Sequence, residues 1–211
     1  MHKTLLDSLK KRYATKLFDN SKKISPQDLE TILESLRLTP TAFGLQLMKV
    51  VVVENKDLRK QLLPYSFNQN QIVDASHLLV LCREEKFDDR HIDNYIQNLC
   101  DCRNQKFSDL EGFKSMLLNY KVNLTTHEIE NWMTNQVYLS LGNLLTSCAL
   151  LNIDTCPMEG FIPQKYNEIL NLSKIGLSSV LVVPIGYSSE NDKYKMLKKV
   201  RKHKNDFVIV K

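Results

Sequence analysis

The chain has 211 residues, of which 43% are hydrophobic and 25% charged, and this composition fits a single globular domain over residues 1–211. The formal charge of +5 is modest. We find neither a signal-peptide core nor the ~20-residue apolar run of a membrane helix, so we expect a cytoplasmic protein with no membrane partner. The five cysteines lack metal-ligand spacing, which favours reduced, mostly buried thiols and no metal site.

The predicted elements are amphipathic helices separated by short apolar strands. Leucines at helical spacing predict a first helix over 2–11 and a second over 26–38, with Pro26 near its start. Almost a hundred residues between the second and third strands have helical patterns, and 136–151 predicts a helix buried on most sides. Apolar runs predict four strands, at 48–53, 77–82, 178–184 and 207–210.

This order of elements favours a layered α/β or α+β domain, with little sign of the regular alternation of a doubly wound fold. The helix at 136–151 is apolar on nearly all sides and therefore needs cover. Either the chain's own core or a second subunit could provide it.

The usual catalytic motifs are absent from the sequence. It contains no Gly-rich phosphate loop, no G-x-S-x-G and no H-E-x-x-H, and its five histidines are isolated. Positive residues crowd the C-terminal end, but they lack interleaved aromatics and a groove-reading motif, so we expect no nucleic-acid partner. A small phosphorylated ligand fits this charge better.

Three segments are candidates for binding such a ligand. Arg12 and Lys16, four residues apart after the first helix, could grip a phosphate, or they could be a solvated face. Gly160 would let a ligand approach backbone N–H groups, or it could belong to an ordinary turn. Lys199 and Arg201 would project to one side of an extended chain, or they could lie in a solvated tail.

Taken together, these segments resemble the nitroreductase family. Five stretches match in the family's order over about 200 residues: RYATKLFD, LTPTAFGLQ, FNQNQIVDASHLLVLC, QVYLSLGNLLTSCALLNIDTCPMEGF and VLVVPIGY. The resemblance implies an α+β fold with a central mixed β-sheet wrapped by helices. It also implies a homodimer with the long apolar helix at its interface, in which the C-terminal strand 207–210 reaches the partner subunit. The alternative places 207–210 at the edge of its own subunit's sheet.

The resemblance further implies that FMN binds in a cleft between the subunits. Three cations would hold its phosphate: Arg12, Lys199 and Arg201. Three neighbouring residues would line the ribityl chain and the ring edge: Tyr13, Ala14 and Thr15. Lys16 would stand near N1 and C2=O, where negative charge accumulates when the flavin is reduced.

The ring itself would be met by other segments. The backbone N–H groups of Glu159 and Gly160 would face N5 and O4, while Pro157 and Met158 pack on one face of the ring. Asn68 would bond the pyrimidine edge. Three residues would approach from the other subunit: Thr41, Ala42 and Gly44.

The sequence departs from the family's pattern at three places. Ala14 stands where a hydroxyl residue is common, and Leu47-Met48 follows Gln46 where Pro-Trp is frequent. Gln71 stands where some relatives carry a lysine near N1; the alternative is that Gln71 points to solvent. These departures leave FMN binding expected and affect the reduction potential and the substrate range.

The implied reaction has two steps in one pocket: NADH or NADPH passes hydride to N5 and leaves, and a nitroaromatic or quinone then takes two electrons. No conventional catalytic residue is expected beyond flavin N5, supported by Lys16, Glu159 and Gly160. The same fold could instead reduce an enone, pteridine or flavin acceptor. The protein could also bind or store FMN without turnover.

Overall fold

The computed structural model describes residues 2–211, and nine α-helices lie within that range. Their bounds are α1 His2–Lys11, α2 Pro26–Arg37, α3 Lys56–Leu62, α4 Gln71–Asp74, α5 Asp89–Arg103, α6 Glu111–Val122, α7 Thr126–Leu150, α8 Pro163–Ile169 and α9 Lys204–Phe207. None of these helices is long and apolar enough to cross a membrane.

Four strands form one sheet in the order β1-β2-β4-β3, and every neighbouring pair is antiparallel. Their bounds are β1 Met48–Val53, β2 His77–Glu84, β3 Asp154–Thr155 and β4 Leu177–Gly186. The central pair is the longest, and its register shifts once, between Leu81 and Cys82. Because β1 pairs only with β2, its outer edge is open among the described residues.

The sheet lies between two helical layers. Alternate residues of β2 point to opposite faces, so Val80 packs with residues of α3, α4 and α8, whereas Leu79 packs with residues of α2 and α7. Both side chains are fully buried. Burial on both faces explains why β2 reads as a continuous apolar run rather than an alternating one. Burial of each such valine or leucine side chain contributes roughly 1.5–3 kcal/mol to folding.

Local signals explain where the main helices begin. Ser25 caps α2 by accepting from the N–H of Asp28, and Pro26 occupies the first turn, where its missing N–H costs nothing. Thr125 and Glu128 form a reciprocal capping box at the start of α7. These caps set the ends of the two helices that cover one face of the sheet.

Most of the predicted elements are confirmed. The helix over 2–11 and the strand over 48–53 have the predicted bounds, and the strands at 77–82 and 178–184 are each longer than expected. The helix predicted at 136–151 is the C-terminal part of α7. The five cysteines are free, and four of them are buried.

The strand predicted at 207–210 is wrong for the chain by itself. Phe207 ends α9, and residues 208–210 have no regular secondary structure. Val210 is 89% exposed. Strand propensity needs a neighbouring strand to pair with, and nothing in residues 2–211 offers one here. The edge-strand alternative is therefore wrong as well.

Two further expectations are corrected. The sheet is antiparallel rather than mixed, because no fifth strand joins it within the described residues; an isolated bridge between Ala14 and Thr155 is parallel. The helix α7 is buried along one side rather than on most sides. Its outer side leaves Leu139 50% exposed and Leu150 44% exposed.

Candidate functional site

Residues 12–17, here called the cation loop, follow α1 and run beside the sheet. The N–H of Thr15 donates to the carbonyl of Thr155 in β3 (3.1 Å), and two residues beyond the loop the N–H of Asp19 donates to the carbonyl of Tyr187 (2.8 Å). Backbone hydrogen bonds to structure far along the chain therefore fix a segment that has no regular secondary structure of its own.

The cation loop and the C-terminal segment, residues 193–211, form a cleft of about 360 Å³. No carboxylate lines it within residues 2–211. Its lining includes eight cationic side chains: Lys10, Lys11, Arg12, Lys16, Lys195, Lys198, Lys199 and Arg201. Such a cleft attracts anions. When no anion is bound, the positive charges that line it repel one another. Lys202 and Lys204, two exposed cations of the same segment, do not line it.

Three cations in this cleft influence one another. Burial, together with the charge of Arg201, holds the pKa of Arg12 below its usual value. Burial lowers the pKa of Lys199 too, with the charges of Arg12 and Arg201 adding to the effect. The Nε of Arg12 is buried and finds no hydrogen-bond partner in the described part of the chain. An anion bound here would relieve the repulsion and supply that missing acceptor.

Asp192 holds the two sides of the cleft together. Its carboxylate is 3% exposed. One oxygen, Oδ2, accepts hydrogen bonds from the N–H groups of Lys16 (2.8 Å) and Leu17 (3.1 Å) and from the hydroxyl of Tyr13 (3.0 Å). The other, Oδ1, accepts from the N–H of Tyr194 (3.0 Å). One buried side chain therefore joins the cation loop to the C-terminal segment.

These bonds also set the protonation of the pair. Burial raises the pKa of Asp192, but the hydrogen bonds that its carboxylate accepts lower the pKa by more, so the net shift is downward. Burial, with a contribution from the bond to Asp192, raises the pKa of Tyr13 to about 12. Asp192 is thus a carboxylate and Tyr13 a neutral phenol near neutral pH.

A second cluster lies around residues 157–160, just past β3. The backbone N–H groups of Glu159 and Gly160 donate to no acceptor within residues 2–211. The side chain of Gln69 donates to the carbonyl of Gly160 (3.2 Å). A Cβ at position 160 would lie 3.1 Å from that Gln69 amide nitrogen, so a larger residue would crowd the segment. Two adjacent free N–H groups suit a ligand that offers hydrogen-bond acceptors.

The carboxylate of Glu159 is held by α7. The hydroxyl of Tyr138 donates to its Oε1 (2.7 Å), and this hydrogen bond, with burial, raises the pKa of Tyr138 to about 12. A carboxylate engaged in this way is poorly placed to remove a proton from a ligand. Glu159 can therefore offer a ligand its backbone N–H rather than a base.

Other predicted residues lie at different depths. Asn68 is exposed in a left-handed conformation (φ 55°), and Gln71 is only 7% exposed, so the alternative that Gln71 points to solvent is wrong. Thr15 is fully buried, and its hydroxyl has no partner among the described residues. Pro157 is half-buried, whereas Met158 packs in the core beside the sheet. Thr15 and Met158 therefore offer little surface to a ligand.

The TAFG loop, residues 41–44, is clamped by helices of its own chain. The N–H of Ala42 donates to the side chain of Gln136 (2.8 Å), and the ring of Phe43 meets that of Tyr120 edge-on at 5.1 Å. Gly44 has a left-handed backbone (φ 80°), and a Cβ there would lie 2.3 Å from the Tyr95 hydroxyl. Any other residue here would need both a strained backbone and a shift of the Tyr95 side chain, so glycine is favoured.

This loop does not join the other two clusters within the chain. Among the described residues, none of its hydrogen bonds reaches the cation loop or residues 157–160. Gln136, which holds the loop, and Tyr138, which holds Glu159, are two residues apart on α7. At 3.6 residues per turn they point about 200° apart. The TAFG loop and Glu159 therefore lie on different sides of α7.

Sequence reasoning missed the residues that hold these segments in place: Tyr95, Gln136, Tyr138 and Asp192. No motif marks the first three, because each acts through a contact far along the chain. Asp192 carries a weak signal, since it is the sole acidic residue between positions 191 and 205, amid a basic run. A single acidic residue within a basic run suits an internal anchor.

Known proteins resemble this chain in sequence and in fold. A family model described as "Nitroreductase family" matches residues 9–187. A Staphylococcus haemolyticus protein whose name assigns it provisionally as an NAD(P)H nitroreductase is 34% identical over 204 residues, covering 93% of this chain and 94% of its own.

Solved structures share the fold. A nitroreductase-type protein of Bacillus subtilis, ydfN, superposes with a TM-score of 0.89 at 21% identity over all of both chains. A protein from Exiguobacterium sibiricum, solved in complex with FMN, superposes with a TM-score of 0.84. It is 19% identical, and the match covers 98% of this chain and 97% of its own. With the family match over most of its length, the chain belongs to the nitroreductase family.

Proposed function

We propose that the protein is an FMN-dependent NAD(P)H oxidoreductase of one domain that reduces nitroaromatic or quinone acceptors. The observation that carries this proposal is the pairing of a carboxylate-free cationic cleft with two free backbone N–H groups at Glu159 and Gly160. FMN offers both matching groups, a dianionic phosphate and a ring edge with hydrogen-bond acceptors. The FMN bound by the Exiguobacterium relative supports the same choice.

The residues present fit this cofactor. Arg12, Lys199 and Arg201 would hold the phosphate, and the buried, unpartnered Nε of Arg12 is the donor that most needs it. The cleft side of Tyr13 and Ala14 would line the ribityl chain, and Lys16 would lie near N1. When bound, FMN would accept a hydride from NAD(P)H and pass two electrons to the acceptor.

The chain's own contribution is to bind and orient. The free N–H groups of Glu159 and Gly160 would fix the ring edge, because a bound acceptor would satisfy both at once. Tyr138 holds the Glu159 carboxylate aside, so the carboxylate does not compete for those donors. Lys16 would favour the reduced ring by placing positive charge where negative charge develops. Gln71, buried near Asn68, would adjust that effect without adding charge.

The purified protein tests the proposal directly. We expect an oxidised-flavin absorption spectrum and sustained oxidation of NADH or NADPH with menadione or a nitroaromatic as acceptor. A protein that only stores FMN would be reduced once by the nicotinamide and would then stop. A colourless protein that does not take up added FMN would contradict the proposal.

We further propose a homodimer in which residues 207–210 of a second copy pair with the open edge of β1. A groove of about 480 Å³ lies between α2 and β1 and is lined by apolar side chains that include Leu33, Leu36 and Val50. The 207–210 run is apolar and exposed, so its side chains match the groove in character. The TAFG loop, on the far side of α7 from Glu159, would then complete the partner's cleft.

Light scattering on two matched variants tests the dimer. Ile209→Asp places a charge in the pairing segment, whereas Lys211→Asp places the same side chain one residue beyond it. We expect the first variant to shift to monomer and the second to stay dimeric with about one FMN per subunit. A wild-type monomer that retains FMN would rule out this interface.

A further inference from the structure

We propose that Asp192 is a positioning residue for anion binding: its buried carboxylate keeps the cation loop and the C-terminal segment in register, so that cations from both converge on one phosphate. This inference rests on the proposed FMN site. It assigns a role to a residue that touches no ligand itself.

The first argument is the separation of the parts that must meet. Arg12 and Lys16 lie near the beginning of the chain, whereas Lys199 and Arg201 lie near its end. A phosphate contacts cations only over a few ångströms, so a small shift between the segments would lose half of the site. Asp192 bonds to both: Oδ2 takes three donors from the cation loop and Oδ1 takes the N–H of Tyr194.

The second argument is that other bonds do not replace this one. The far end of the loop region is already paired, since Ser189 donates to the carbonyl of Leu17 and Asp19 to that of Tyr187. At the cleft end, the Nζ of Lys199 donates to the carbonyl of Arg12, and a bound phosphate would draw this exposed lysine side chain away from the carbonyl. Losing Asp192 would therefore release Tyr13 and Lys16 from the start of the C-terminal segment, while the backbone bonds of Thr15 and Asp19 stay in place.

The third argument concerns the chemistry of the side chain. All four donors around Asp192 are N–H or O–H groups, so each needs an acceptor. A carboxylate accepts at both oxygens, whereas an amide would turn its NH2 group toward at least one of these donors. Asparagine would therefore break the link on one side, and glutamate would keep the charge but misplace it by one methylene.

Charge alone predicts the opposite outcome. Removing a negative group beside a phosphate site should strengthen phosphate binding by simple Coulomb attraction. A positioning role predicts weaker binding for both Asp192→Asn and Asp192→Glu. The two explanations therefore differ in sign for the asparagine variant.

The test compares FMN with riboflavin, which lacks the phosphate, by fluorescence titration of the flavin-free protein. For Asp192→Asn and Asp192→Glu we expect the Kd for FMN to rise by about tenfold or more, and that for riboflavin by less than about threefold. Asp206→Asn is the matched control, since it removes an exposed carboxylate of the same segment. We expect it to change neither Kd.

Tyr13→Phe provides a second, milder variant if the Asp192 variants do not fold. It removes one donor and leaves the backbone bonds, so we expect a smaller fall in the preference for FMN over riboflavin. An unchanged preference in every folded variant would overturn the inference, as would tighter FMN binding by Asp192→Asn with Asp192→Glu unaffected. Failure of the wild-type protein to bind FMN would instead contradict the proposed function.

Discussion

The strand β4 and the C-terminal segment both carry large apolar side chains, yet these side chains lie in opposite environments. In β4, Leu181 is 1% exposed and Val182 fully buried, whereas in the C-terminal segment Met196 is 84% exposed and Ile209 81% exposed. β4 has a strand on each side and a helical layer on each face. The C-terminal segment is tied down mainly at Asp192 and Lys199. An apolar run thus indicates a capacity for burial, and the available neighbours decide whether burial occurs.

The largest effect is expected in the C-terminal segment, on binding. Lys199→Ala with Arg201→Ala removes two charge-assisted phosphate contacts of roughly 1.5–3 kcal/mol each, together about 3–6 kcal/mol. We expect this double variant to lose FMN on dilution. Lys202→Ala with Lys204→Ala removes the same number of charges from residues that do not line the cleft. Equal flavin occupancy in the two double variants would refute the assignment.

The next effect should fall in β4, on stability. Leu181→Ala removes a buried side chain and leaves a cavity, so we expect a loss of about 2–5 kcal/mol in the free energy of unfolding by urea. Met196→Ala truncates a side chain of similar size that is exposed, and should change that free energy by less than about 0.5 kcal/mol. A comparable loss at Met196 would show that the C-terminal segment is packed in solution.

A smaller effect is expected at Gln71, which is buried and would lie near N1 of the proposed ring. Two unit charges about 4 Å apart interact by about 4 kcal/mol at a dielectric of 20, which desolvation should reduce to ~1–2 kcal/mol. Since ~1.4 kcal/mol corresponds to about 30 mV for a two-electron couple, Gln71→Lys should raise the FMN potential by some tens of millivolts. Spectroelectrochemical titration against Gln61→Lys, at an exposed position, checks this. A fall in the reduction potential would show that Gln71 does not lie near N1.

The smallest effect is expected at acidic pH, at Asp192, which links the cation loop to the C-terminal segment. The pKa of Asp192 is lowered in the folded protein, so its carboxylate stabilises folding above the ordinary Asp pKa of about 3.9. This contribution is lost as the pH falls through the folded-state pKa. The stability advantage of the wild-type protein over Asp192→Asn should therefore shrink below about pH 4 in urea unfolding experiments. A constant difference from pH 6 to pH 3 would contradict it.

The body of the fold could be predicted because its signals are local. Regular leucine spacing gave the bounds of α1, and the β-branched run gave those of β1. The two-residue strand β3 was missed, since its pairing with β4 depends on a contact rather than on a pattern. The strand at 207–210 failed for the same reason: residue type favours pairing, but this segment pairs with no strand of the described chain.

In the candidate site, too, some residues could be predicted from the sequence and others could not. Its cations and the Glu159-Gly160 pair could be predicted from resemblance, and the structure places Arg12, Lys199 and Arg201 around one cleft. The supports could not be predicted. Asp192 lies about 180 residues from the loop that it holds, and Tyr138 holds Glu159 from helix α7, although Glu159 itself lies in an irregular segment. Such contacts depend on how distant elements pack, which a single sequence does not encode in any short pattern.

The fit of Gly44 against Tyr95 has a consequence for protein engineering. A library that randomises residues 41–46 would mostly recover glycine at position 44, because any side chain there meets the hydroxyl of a residue outside the library and needs a left-handed backbone. Shortening Tyr95 would open that space, and the left-handed backbone would then favour asparagine as the first side chain admitted. Changes in this loop must therefore be made as pairs across two segments, so single-site evolution would leave its shape largely unaltered.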